Sequence, residues 1–170
     1  MLPAGLTREL LALERDGICL LETAVTHGTV VVVTNAAKGW VQQSGRRFIP
    51  RVVECLKAHS ITVVSAQAAF ARSCPSGDPT DWKKKAFMRE MAGAQSRSGE
   101  NINMISIGDS IFEREATHYA SGQLQVQTTK TVKFIDSPTI EQLRRQLVTV
   151  TAKMPMICGI ERSFDADMEL

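Results

Sequence analysis

Two runs of adjacent β-branched residues, Val30-Val31-Val32-Val33 and Ile61-Thr62-Val63-Val64, restrict what this chain can fold into more than anything else in it. Neither alternates apolar with polar residues, so each reads as a strand covered on both faces, as in a parallel sheet. A parallel neighbour is reached only through a crossover, ordinarily a helix, and helical patterns flank both runs. Leu6, Leu10, Leu13, Leu20, Leu21 and Ala24 predict a helix over Thr7–Thr26, stopped by His27-Gly28. Val41, Phe48, Val52, Val53, Leu56 and Ala58 predict a second over Gly39–His59, in which Pro50 kinks the helix or starts a new turn. Trp40 and Phe48, eight apart on it, are expected in the core.

Downstream the alternation continues. A polar loop, Ser73–Pro79, is expected to expose Cys74, and a short helix is expected over Trp82–Ala92, followed by a polar linker, Gln95–Glu100. Met104–Ile107 reads as a third strand that ends at Gly108-Asp109-Ser110, and Phe112–Ala120 as the helix after it. Leu124–Ile135 reads as extended, and Pro138–Met154 as a closing amphipathic helix. Strands and helices joined by short connections specify an α/β fold, a Rossmann-like three-layer sandwich with a mainly parallel sheet. The chain is expected to form one domain over 1–155, with 156–170 as a tail in which Asp165-Ala166-Asp167 is a solvated acidic stretch.

Composition narrows the partners. Of 170 residues, 44% are hydrophobic and 22% charged, which excludes a disordered chain. Twenty basic and 18 acidic residues leave a net charge of +2, no global case for nucleic acid or an anionic membrane. No apolar run approaches the roughly 18 residues that span a bilayer. Arg8, Glu9 and Glu14 exclude reading the N-terminus as a signal peptide. Cys19, Cys55, Cys74 and Cys158 have no metal-ligand spacing and read as reduced thiols of a cytoplasmic protein.

In a doubly wound sheet, ligands bind beyond the carboxyl ends of the strands. The residues there are Thr34-Asn35 and Gly108-Asp109-Ser110, with Trp82-Lys83-Lys84-Lys85 between them in sequence. A hydroxyl, a lysine and a carboxylate suit a phosphate group with a divalent cation nearby. Taken singly, each is ordinary: Thr34 can form a turn, the lysine run can be a solvated helix face, and Gly-Asp-Ser can be a tight turn. Their order is what draws them together.

Val32-Val33-Thr34-Asn35-Ala36, Trp82-Lys83 with Ala86-Phe87, and Ile105-Ser106-Ile107-Gly108-Asp109-Ser110 with Glu113-Arg114 make the chain resemble the haloacid dehalogenase (HAD) superfamily over about Leu6–Leu147. The narrower likeness is to poorly characterised eukaryotic HAD-like proteins. The resemblance implies that Thr34 and Asn35 contact a phosphoryl oxygen and that Lys83 neutralises that group, with Lys84 or Lys85 as alternatives. It implies Asp109 as a ligand of Mg²⁺, and Glu113 as a further ligand or the group that orients one. Relatives with the full set would be Mg²⁺-dependent phosphatases or phosphotransferases that work through an aspartyl-phosphate. The ligand would be a phosphorylated small molecule or protein.

One departure counts against turnover. The family carries its nucleophile in Asp-x-Asp-x-Thr at the end of a first strand, and no such motif precedes Thr34. Asp16 lies in a helical pattern without a partner aspartate, and Asp165-Ala166-Asp167 follows no hydrophobic strand. The chain is therefore expected to be catalytically incomplete, with phosphate-binding and partial Mg²⁺-binding elements retained; the alternative is a non-catalytic binding or interaction module on the same fold. In the family the missing strand lies between the strands ending at Thr34 and Asp109. Its absence is expected to leave two hydrophobic strand edges or to force them to pair with each other. A shortened chain is favoured over a fold that closes the sheet differently.

Overall fold

The computed structural model describes residues 3–74, 76–98 and 102–169. The order is α1 (Ala4–His27), β1 (Val31–Thr34), α2 (Trp40–Phe48), α3 (Pro50–Ala58), β2 (Thr62–Ser65), α4 (Ala66–Phe70), α5 (Pro79–Ser98), β3 (Asn103–Gly108), α6 (Ile111–Leu124), β4 (Thr128–Lys133), α7 (Ile140–Gly159) and β5 (Phe164–Asp167). Every strand pairing is parallel, and the arrangement is α/β and compatible with a Rossmann-like fold. No helix among the described residues is long and apolar enough to cross a membrane.

The strands form two sheets, β1-β2 and β3-β4-β5, instead of one. One helical layer, α5 and α6, touches both. On one face Val33 of β1 and Met104 of β3 pack on a single cluster of Phe87, Met91, Ala116 and Ala120 from α5 and α6. On the other face Ile105 and Ile107 of β3 and Val132 of β4 meet Leu20 and Ala24 of α1 and Val150, Met154 and Ile157 of α7. The two edges expected from the sequence are thus left apart, not joined. Burial reports the difference: β4, paired on both sides, is buried over Thr128–Val132, whereas all four residues of β1 are only half-buried.

Several local expectations hold for their stated reason. Pro50 starts a new helix at its first position, where a missing N–H costs nothing. The donor of the next residue, the Arg51 N–H, reaches Glu14 Oε1 of α1 at 2.6 Å. Asp16 is buried between α1 and α7, where it accepts from Arg144 at 2.7 Å.

Others need correction. Trp40 and Phe48 are 57% and 40% exposed, not core. Helix α2 is a separate short rod that seats on α3 through Gly45, where an added Cβ would stand 2.5 Å from Val53. Its aromatic residues are left outside that contact. Cys74 is buried. Helix α5 runs through Gln95–Ser98 of the expected linker; Gly99 and Glu100, like Pro75 of the expected loop, lie outside the described residues. Helix α6 continues to Leu124, so the extended stretch begins later than expected, and α7 passes Pro155 to Gly159.

The expected tail is corrected most. Phe164–Asp167 forms β5 and pairs with β4 in register Thr131↔Asp165. Phe164 faces the α7 layer, while Asp165 and Asp167 turn toward α6. There Asp165 accepts from Thr131 Oγ1 at 2.6 Å and bonds His118 Nε2 at 2.9 Å. Arg114 donates to Thr131 Oγ1 and to the Ala166 carbonyl, both at 2.8 Å, and pairs with Asp167 at 3.2 Å. Partial burial of Asp165 pushes its carboxyl up, but Thr131, His118 and Arg114 together outweigh this and hold it below the usual value. A carboxyl lowered on folding stabilises the fold above its unfolded value, about 3.9, and that contribution is lost as pH falls through the folded value. Thermal melts should show Asp165→Asn below the wild type at pH 6, with the gap closing as the pH drops below about 4.

Candidate functional site at the strand ends

Three segments meet at the carboxyl ends of β1 and β3. Past β1 the chain turns on Thr34, whose Oγ1 accepts from the Ala36 N–H at 3.1 Å. Ser65, at the end of β2, donates to the Ala36 carbonyl at 2.6 Å and caps α4 through the Ala68 N–H. Asn35 Nδ2 donates to the Pro79 carbonyl at 3.1 Å, which ties this turn to the first residue of α5. One turn further along α5 stands Lys83.

The three adjacent lysines point in different directions. Lys84 lies over the Tyr119 ring, 5.8 Å from its centroid, and Lys85 donates to the Ser73 carbonyl at 2.6 Å. Lys83 is 6% exposed and pairs with Glu113 Oε1. Of the three, Lys83 therefore reaches the strand-end edge.

Glu113 sits there because of Ser110 and Gly108. Ser110 caps α6 and forms a capping box with Glu113, whose Oε2 accepts from the Ser110 N–H at 3.0 Å. The folded-back side chain crosses Gly108 so closely that a Cβ there would stand 2.7 Å from Glu113 Cγ. Glycine is required by that approach. Asp109, between them, is exposed.

Two links involve the sequence-predicted residues: Asn35 to the start of α5, and Lys83 to Glu113. Thr34 also lines a cavity of about 350 Å³ with Ser65, Lys38, Gln43, Arg46 and Val63. Two polar atoms of this region, Asn35 Oδ1 and the Trp82 indole Nε1, are buried without a hydrogen-bond partner among the described residues. Such atoms are uncommon in native structures and mark places where a ligand or water is accommodated. Trp82 was not singled out as a site residue from the sequence; its place immediately before Lys83 is the signal that pointed there.

The set offers a resident Mg²⁺ few free protein ligands. Both Glu113 oxygens are already engaged, one by a cation and one by a backbone N–H, so Asp109 would stand as the one uncommitted carboxylate of the pair. A well-held Mg²⁺ takes one or two carboxylates together with substrate oxygens and waters. No protein-family model, no curated protein and no solved structure matches this chain.

Removing one partner of a buried ion pair leaves the other charge uncompensated, which costs about 3 kcal/mol or more. Lys83→Met should lower the stability in urea melts by about that much, whereas Lys84→Met should cost under about 1 kcal/mol.

Proposed function

We propose that the chain is a HAD-like domain that binds a phosphate group, on a small molecule or a protein, at the carboxyl ends of β1 and β3 and does not turn it over. The observation that supports this reading is that α5 carries both Pro79, which accepts from Asn35, and Lys83, which pairs with Glu113. Thr34 Oγ1 and the Trp82 indole N–H would donate to phosphate oxygens, and Lys83 would supply positive charge. A dianion drawn to Lys83 competes with Glu113 for the same ammonium, which favours weak, reversible binding.

Under this reading the bound phosphate is not turned over. A phosphoryl transfer of this type needs a carboxylate nucleophile in line with the phosphorus and a second acid to protonate the leaving group. Asp16 is tied to Arg144 between α1 and α7, and Asp165 to Thr131 and His118 within β5. Isothermal titration with inorganic phosphate should give binding that Lys83→Met and Thr34→Val each weaken. An aryl phosphate with Mg²⁺ should give no hydrolysis above background. Turnover that vanishes in Asp165→Asn would overturn the proposal.

A second reading, an interaction module, is favoured by the split sheet. Strands β1 and β3 each pair on one side only and pack against the same helices. An apolar extended segment from a partner, laid parallel between them, would satisfy both rows of backbone groups. Under this reading, lysine-tagged eight-residue valine-rich peptides should slow amide exchange in β1 and β3 together. Phosphate should leave that exchange unchanged.

A further inference from the structure

Glu22, Cys55 and His59 come together on the surface where α1 crosses α3, away from the strand-end site. Cys55 and His59 are four residues apart, so they project from one face of a single turn. The His59 N–H donates to the Cys55 carbonyl at 3.1 Å, which fixes their relative position. Glu22 reaches across from α1. The Cys55 sulfur, a His59 ring nitrogen and a Glu22 carboxylate oxygen all lie within 4.8 Å of one another, with His59 Nε2 and Glu22 Oε1 3.9 Å apart.

We propose that Glu22, Cys55 and His59 form a site for a zinc-class divalent cation, with water as fourth ligand. Thiolate, imidazole and carboxylate are the donors that zinc takes, and bonds of about 2.0–2.3 Å in a tetrahedron place ligand atoms roughly 3.3–3.8 Å apart. The present spacing closes to that by about 1 Å of side-chain movement, which Glu22 and His59 are free to make at 55% and 35% exposure. Cys55 forms the buried floor at 7%, so an ion enters from solvent and retains one water. The donor set selects against Mg²⁺, which prefers oxygen ligands alone. Binding forms a metal–sulfur bond and releases the Cys55 thiol proton to solvent.

The consequence is mechanical. Helix α1 packs on α7 and shares a core cluster with β3 and β4, and it also packs on α3, which lies in the crossover from β1 to β2. A metal between them would fasten α1 to α3. This inference does not depend on the phosphate-binding reading.

Cobalt(II) is the probe, because zinc is spectroscopically silent. One equivalent added to the full chain should give tetrahedral visible bands and a near-ultraviolet thiolate band, both erased by one equivalent of zinc. At a hundredfold excess over the dissociation constant, zinc should raise Tm by about 5–10 °C. Cys55→Ser should remove the thiolate band, and Glu22→Gln and His59→Gln, at exposed positions, should remove most of the Tm rise. Cys158→Ser should leave both intact. Absence of a stoichiometric thiolate band, its loss in Cys158→Ser, or an undiminished Tm rise in Glu22→Gln and His59→Gln would each overturn the proposal. Should Cys55→Ser fail to fold, the two exposed variants decide.

Discussion

The Lys83–Glu113 pair joins α5, which packs on β1, to α6, which packs on β3. Between those strands no backbone hydrogen bonds are shared, so a pair of side chains does at the strand ends what sheet pairing would do along their length. Both groups are largely out of water, and a charge buried without its partner is costly. Each therefore holds the other in place, and the Ser110 N–H and the bare Cα of Gly108 let Glu113 fold back far enough to be reached. The strand-end geometry, including the orientation of the Thr34-Asn35 turn through Pro79, follows from how α5 is thereby set against α6.

The most enclosed strand is also the most polar. In β4, Thr128, Thr129, Lys130 and Thr131 are all buried, and Lys130 and Thr131 have side-chain partners there. Lys130 donates to the Ile157 and Cys158 carbonyls at 2.7 and 3.2 Å, near the end of α7, where unpaired carbonyls favour a cation. Burial still pushes its ammonium below the usual lysine value. Thr131 is shared between Arg114 and Asp165. This network draws an acidic C-terminal segment into the sheet as β5, with its two aspartates on the α6 side and Phe164 in the core.

Legibility followed the range of the interaction. The valine run, the stop after His27 and the break at Pro50 could be read because each depends on residues within a few positions. Thr34, Asn35 and Asp109 could be placed at strand ends for the same reason. The bridging part of Glu113 could not, since it depends on Lys83 thirty residues away and on Gly108 having no side chain. Asp165 and Asp167 read as solvent-facing and do stay exposed, but that Arg114, Thr131 and His118 meet them, and that the segment joins the sheet, depends on distant elements. Cys55 read as a reduced thiol without metal-ligand spacing, because its nearness to Glu22 depends on the crossing of α1 over α3.

By itself, then, the sequence determined that this is an α/β chain of parallel strands with helices between them, and which residues stand at the strand ends. Period and punctuation are properties of neighbouring residues, and they survive whatever the rest of the chain does. Tertiary structure alone decided that the strands divide into two sheets, that one lysine of three is the buried one, and which carboxylates face a cation. Those outcomes depend on which distant backbone edges and charges can satisfy each other once water is excluded. No local pattern carries that information.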